Sequence, residues 1–301
     1  MRVLEELHEA VRDLVGRLEG SVVAVGNRTA RGSGIVVAAG RVLTNAHNIR
    51  GEEVKVVFAD GRTATGKVSG TDIHGDLAVV AVETGKTQPV EWGDPASIGI
   101  GFPVFTAANP GGQGLRVTFG LVSAVERSFR GPGGGRISGA IEHTAPLLPG
   151  SSGGPLVDSG GRLLGVNTNR LGEGFYLAIP ADTSLKESID ALARGQVPRH
   201  PRLGVGIAPP HVARALRRAV GLSDVTGLLV RHVQEGSPAA EAGLAEGDLI
   251  VDAGGKALGG VDDLYDVLEA AGPEVELKLL HGSEERRVTV RLNSGSDGAS
   301  A

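Results

Sequence analysis

From Ser21 to about residue 182 the apolar pattern has a period of two, and no helix of consequence interrupts it. Short β-branched runs recur, among them Val22–Val25, Gly34–Val37, Val54–Phe58 and Leu77–Val82, separated by Gly, Asn and Asp. Asp60-Gly61 between two such runs predicts a tight hairpin, because both residues tolerate the positive φ its turn requires. Strands this short, punctuated this regularly over roughly 160 residues, predict a sandwich or barrel. The composition agrees: 48 glycines and only 3% aromatic residues suit a small-residue core with many tight turns.

Helical periodicity flanks this region. Leu4, Leu7, Val11, Leu14 and Leu18 recur at spacings of three and four, which predicts an amphipathic helix over 2–18. Its expected role is packing against the following domain, the alternative being a subunit contact. A second helix is predicted over Thr183–Arg194, with Leu185, Ile189 and Leu192 as apolar positions and Gly195 as its stop. Gln196–Pro201 carries two prolines and reads as a stiff extended linker. Beyond it, helices over Val212–Val220 and Val261–Ala270 alternate with strands in a compact mixed unit. The expected plan is a helix over 1–19, a first domain over 20–195, a linker over 196–201, a second domain over 202–292, and a disordered Ser/Gly/Asp-rich tail over 293–301.

Several function classes drop out. With no cysteine in the chain, thiol catalysis, disulfides and cysteine-ligated zinc are excluded. A net charge of −5 gives no basis for nucleic-acid binding. No apolar stretch approaches the roughly 18 residues of a spanning helix. The charged N-terminus lacks a signal-peptide core, so a cytoplasmic location is expected from the sequence as it stands, and an extracytoplasmic one if a leader has been trimmed. No metal or cofactor is expected.

The strongest chemical signal is Pro149-Gly150-Ser151-Ser152-Gly153-Gly154-Pro155-Leu156. Glycines around a serine let the backbone take unusual angles and leave N–H groups free to face a developing oxyanion. A serine hydroxyl needs a base. His47, at the end of Arg41-Val42-Leu43-Thr44-Asn45-Ala46-His47, follows a strand, as a fixed imidazole should. His74 and His143 are rivals, and sequence position does not decide among the three. The acid that would orient the base is expected at Asp76, at the mouth of the apolar run Leu77–Val82, where an unpaired carboxylate would be costly. Asp72 is its competitor.

Gly32-Ser33-Gly34-Ile35, Thr44-Asn45-Ala46-His47, Gly75-Asp76-Leu77-Ala78-Val79 and Gly150–Leu156 resemble the HtrA family of trypsin-like proteases, in the chain order His, Asp, Ser. Leu164–Thr168 and Leu177–Pro180 extend it. Ser237–Leu244 followed by Glu246–Ile250 resembles the PDZ domain attached to such proteases.

The resemblance implies a mainly β fold, with two perpendicular six-stranded barrels of the chymotrypsin type followed by an α+β PDZ domain. It implies Ser152 as nucleophile, His47 as general base and Asp76 as its orienter. The N–H groups of Gly150 and Ser152, with Ser151 assisting, would form the oxyanion hole. Pro146, Leu147, Val166, Asn167 and Thr168 would line the specificity pocket. The family commonly has Asn where this chain has Ser151, and a polar stretch usually containing Asp where it has His143–Leu148. With no acid at the pocket base, small or medium aliphatic residues are expected before the scissile bond.

In the PDZ domain Arg202, Leu203, Gly204 and Val205 occupy the carboxylate-loop position. Leu203, Val205 and Ile207, with Leu264 and Leu268, would line a groove for peptide C-termini. The activity implied is ATP-independent cleavage of unfolded polypeptides, in a homo-trimer or larger assembly. The alternatives are a chaperone-like binding module with an inactive resting site and, more weakly, a hydrolase of small esters. The Gly-rich stretch Glu126–Ile137 reads as a mobile surface loop of regulatory potential.

Overall fold

The computed structural model describes residues 2–27, 32–133, 135–171, 174–197 and 201–292. Two compact units divide the chain, 1–198 and 199–301.

The first unit opens with helix α1 (Arg2–Leu18), over the span that its apolar spacing predicts. Leu14 and Leu18 are buried in the same apolar cluster as Val22, Phe105 and Leu163 of the barrels, and Val11 packs against it. Arg17 adds a 2.8 Å hydrogen bond to the Gly160 carbonyl. The helix is therefore a packing element of this unit; the side chains of Leu4 and Leu7 lie outside the described set.

Two closed barrels follow, as a mainly β double barrel was expected to show. The first is built from β1 (Val22–Val25), β2 (Gly32–Ala38), β3 (Arg41–Thr44), β4 (Glu53–Val57), β5 (Thr63–Asp72) and β6 (Leu77–Ala81), in the order β1-β2-β3-β6-β5-β4. The second comprises β7 (Pro103–Ala108), β8 (Arg116–Arg130), β9 (Arg136–His143), β10 (Pro155–Val157), β11 (Leu163–Leu171) and β12 (Phe175–Pro180). Its closed order β7-β8-β9-β12-β11-β10 repeats that of the first, a structural repeat that the sequence does not display. The Asp60-Gly61 hairpin joins β4 to β5, with Gly61 at φ 81°.

The stretch expected to be a mobile surface loop is not one. Glu126–Ile137 is mostly strand, because β8 continues to Arg130 and β9 resumes at Arg136. Register shifts between Val122 and Phe129 break the alternation that would have marked it. Only the short turn between them is loop, and its Gly134 lies outside the described residues. Helix α2 (Thr183–Ala193) closes the unit, capped by the Asp182 carboxylate on the Leu185 N–H at 2.9 Å.

The second unit has the sheet order β13-β14-β15-β17-β18. Its elements are β13 (Val205–Ala208), α3 (Pro210–Ala219), β14 (Leu228–Val233), α4 (Pro238–Glu241), β15 (Asp248–Ala253), β16 (Lys256–Ala257), α5 (Val261–Ala270), β17 (Glu274–His281) and β18 (Glu284–Arg291). Helix α3 starts two residues before its predicted position, because Pro210 suits a first helical turn. Pro198–His200 of the expected linker and the 293–301 tail are outside the described residues.

Candidate active site

Three segments of the first unit converge. The first is the turn Ala46–Asn48 that follows β3 and carries His47. The second is the mouth of β6, where Asp76 sits at φ 55°, a left-handed angle that Asp tolerates better than most residues. The third is the loop between β9 and β10, which carries Ser152.

Asp76 is buried, with its side chain 1% exposed, while His47 is about one-third exposed. His47 Nδ1 lies 2.9 Å from both carboxylate oxygens, and its backbone N–H donates to Oδ1 at 3.2 Å. The Asn45 amide holds the Asp76 carbonyl at 2.9 Å. Thr168 Oγ1 donates to the other carboxylate oxygen. The buried carboxylate thus has donors on both oxygens, as a charge removed from water requires. With Nδ1–H facing Asp76, Nε2 is the nitrogen left to accept a proton.

Ser152 Oγ donates to the Thr168 carbonyl at 3.3 Å, and among the described residues it makes no hydrogen bond to His47. Thr168 therefore touches both ends of the arrangement, its hydroxyl on Asp76 and its carbonyl on Ser152. Sequence reasoning placed Thr168 only in the specificity pocket. The signal available, a hydroxyl residue following the β11 core, was too weak to give it this position.

In the nucleophile loop Gly150 has φ 89° and Gly153 φ 86°. Among the described residues the N–H groups of Gly150 and Ser152 donate to no protein acceptor, whereas the Ser151 N–H is committed to the Leu148 carbonyl at 3.0 Å. Two of the three predicted donors are thus available, and Ser151 contributes through the turn instead.

The predicted pocket residues separate. Pro146 is exposed and Leu147 half-buried, on the segment held against β8 by Thr118 Oγ1 to the Pro146 carbonyl at 2.7 Å. Val166 is buried in the barrel core with Leu163, Leu177 and Ile179, so its side chain is core filling. Asn167 is fully buried, and its amide donates to the carbonyls of Gly154 and Pro155, both at 3.0 Å.

The rival histidines lie elsewhere. His74 sits on the 72–75 turn against the Gly131–Gly135 hairpin tip. The competitor Asp72 is buried there and caps that turn, accepting from the Gly75 N–H at 2.9 Å. His143 is fully buried, stacks on Tyr176, and meets Asn167 Oδ1 through Nε2 at 3.0 Å. Because the Asn167 nitrogen is a donor to two carbonyls, its oxygen must accept, so Nε2 carries the His143 proton. Burial depresses the His143 pKa from 6.5 to about 4, outweighing the hydrogen bonds that the ring makes to Asn167 Oδ1 and to the backbone at Ala145, which act to raise it.

In the second unit Leu203, Leu264 and Leu268 are buried in one apolar cluster, with Val205 and Ile207 half-buried against it. Gly204 has φ 77°, and a Cβ there would stand 2.3 Å from Ser237 Cβ. Arg202 lies immediately before that turn, at the start of the segment leading into β13. Strand β13 pairs only with β14 among the described strands, so its outer edge is open. Among the described residues no group of His, Asp and Glu forms a metal-binding cluster. No helix there is long and apolar enough to cross a membrane.

Comparison with known proteins gives a consistent picture. Residues 32–166 match the trypsin-like peptidase domain family, and residues 229–281 match the PDZ domain family. HhoA of Synechocystis sp. is 36% identical over 279 residues, covering 87% of this chain and 70% of HhoA. HhoB of the same organism is 35% identical over 274 residues, covering 86% of this chain. The chain spans only 65% of HhoB's length. Among solved structures, the HtrA-type protease AlgW with a decapeptide superposes with a TM-score of 0.74 at 26% identity, covering 93% of this chain and 97% of that one.

Proposed function

The chain belongs to the HtrA family of trypsin-like serine proteases that carry a PDZ domain, and on that premise we propose that it is an ATP-independent endoprotease of unfolded polypeptides. The observation that carries this reading is the His47–Asp76 pair, doubly held at 2.9 Å and linked through Thr168 to Ser152.

In the proposed reaction Ser152 gives up its bond to the Thr168 carbonyl and attacks the scissile carbonyl while His47 Nε2 takes its proton. Asp76 stabilises the imidazolium, which then protonates the leaving amine. The free N–H groups of Gly150 and Ser152 hold the oxyanion. Water repeats the sequence on the acyl-enzyme. The pocket segment carrying Pro146 and Leu147 bears no carboxylate, which supports preference for aliphatic over basic residues before the cut bond.

The PDZ unit docks peptide C-termini by adding a strand to β13, with Leu203, Gly204 and the positive end of Arg202 at the carboxylate and Val205, Ile207, Leu264 and Leu268 lining the groove. The open β13 edge supports this, as does the peptide bound by AlgW. Assembly as a homo-trimer accompanies the proposal, and a native mass of one subunit would count against it.

The test is cleavage of unfolded casein by wild type and Ser152→Ala, with and without a hydrophobic C-terminal peptide. Cleavage lost in the variant supports the protease, and a peptide-dependent rate supports PDZ control. A folded wild type that cuts nothing in any condition favours the peptide-binding module, with the Ser152–Thr168 bond as its locked state.

A further inference from the structure

Asn48 is buried beside His47, in the same turn. Its side-chain amide donates to the carbonyl of Ser152 at 2.9 Å and to Thr44 Oγ1 at 3.0 Å. Thr44 passes its own hydrogen to the Ser33 carbonyl at 2.7 Å. The Ser33 N–H meets the same Ser152 carbonyl at 2.9 Å, and the Ser33 hydroxyl donates to the Gly150 carbonyl at 2.8 Å. The first barrel therefore grips the peptide planes that begin at Gly150 and at Ser152. Each peptide is rigid. The plane between these two bears the Ser152 N–H and ends on the nucleophile's Cα, so its freedom is set by the two that are held.

The seat for the amide is kept open by glycines from both barrels. A Cβ on Gly32 would lie 2.2 Å from Asn48 Cγ. One on Gly153 would lie 2.2 Å from the Ser33 carbonyl oxygen and 2.6 Å from Thr44 Oγ1. A side chain that only filled space here would not require its two amide hydrogens to be divided between β3 and the nucleophile's own carbonyl.

We propose that Asn48 is a positioning residue, tying the turn that carries the general base to the backbone of Ser152. By that link it sets both the approach of Ser152 to His47 and the aim of the Ser152 N–H. The inference rests on the protease reading above.

The test uses the full chain with a fluorogenic peptide and a peptide boronate, which turns tetrahedral on the serine. Asn48→Leu removes the donor at similar volume. Gly32→Ala keeps Asn48 but displaces its amide. Both variants are expected to lower kcat about 10- to 100-fold per titrated site, with KM altered less than about threefold. Boronate affinity falls by a matching factor, since that ligand uses the same geometry as the transition state.

A role in folding alone would lower the titratable fraction or the melting temperature and leave kcat per site intact. Unchanged kcat and boronate affinity per site in whichever variant folds overturns the proposal. A wild type that does not cleave, or whose cleavage survives Ser152→Ala, defeats the protease reading instead, and is a distinct result.

Discussion

Acidification acts on His143 through its burial. In the unfolded chain this imidazole titrates at 6.5, and in the fold at about 4. Between those values the unfolded state binds more protons, so stability is complete above about pH 6.5 and is lost as pH falls toward 4. At about 1.4 kcal/mol per pH unit of displacement, roughly 2 kcal/mol is lost between pH 7 and 5, and about 3 kcal/mol by pH 4.

His143→Leu removes this titration while keeping an apolar side chain of similar size. It also strips Asn167 Oδ1 of its donor, which costs about 1–3 kcal/mol at every pH. Urea unfolding followed by Trp92, the single tryptophan and part of the first unit, reads that unit alone. The wild type's advantage over the variant is expected to shrink by about 2 kcal/mol from pH 7 to 5. Parallel stability curves for the two proteins across that range would refute the argument, because the buried neutral imidazole would then carry no proton linkage.

Thr168→Val keeps shape but leaves one oxygen of the buried Asp76 carboxylate without its hydroxyl donor, and kcat on a peptide substrate is expected to fall about tenfold with KM little changed. An unaltered kcat would show that His47 alone suffices to hold Asp76. Leu14→Ala, at a position 1% exposed, should cost about 2–5 kcal/mol in the same Trp92 urea assay. A loss below about 0.5 kcal/mol would mean that α1 does not contribute its packing in solution.

The barrels were legible where strands are apolar and regular. β1, β4 and β6 declare themselves through valines that alternate or run together. β5, with the sequence TATGKVSGTD, holds one large apolar residue and is a strand because β4 and β6 flank it. Gly66 within it allows the close approach, since a Cβ there would stand 2.4 Å from Val80 Cγ1. β8 was misread as loop beyond Val125 because its bulges reset the period of two. The short motifs exposed His47, Asp76 and Ser152 as candidates. They could not choose between His47 and His143, because the difference is made by residues far apart in sequence: Asp76 beside one, Asn167 beside the other. Thr168 and Asn48 were invisible as partners for the same reason. Their chemistry is ordinary, and only the closure of two barrels brings a hydroxyl to Asp76 and an amide to the Ser152 carbonyl.

A Ser152 nucleophile activated by His47 should react with a fluorophosphonate, and peptide mass mapping locates the adduct. A single adduct on Ser152 in wild type, lost in Ser152→Ala and slowed at least about 100-fold in His47→Ala, is the predicted result. No adduct on folded wild type, or labelling of Ser152 at the same rate without His47, would contradict it.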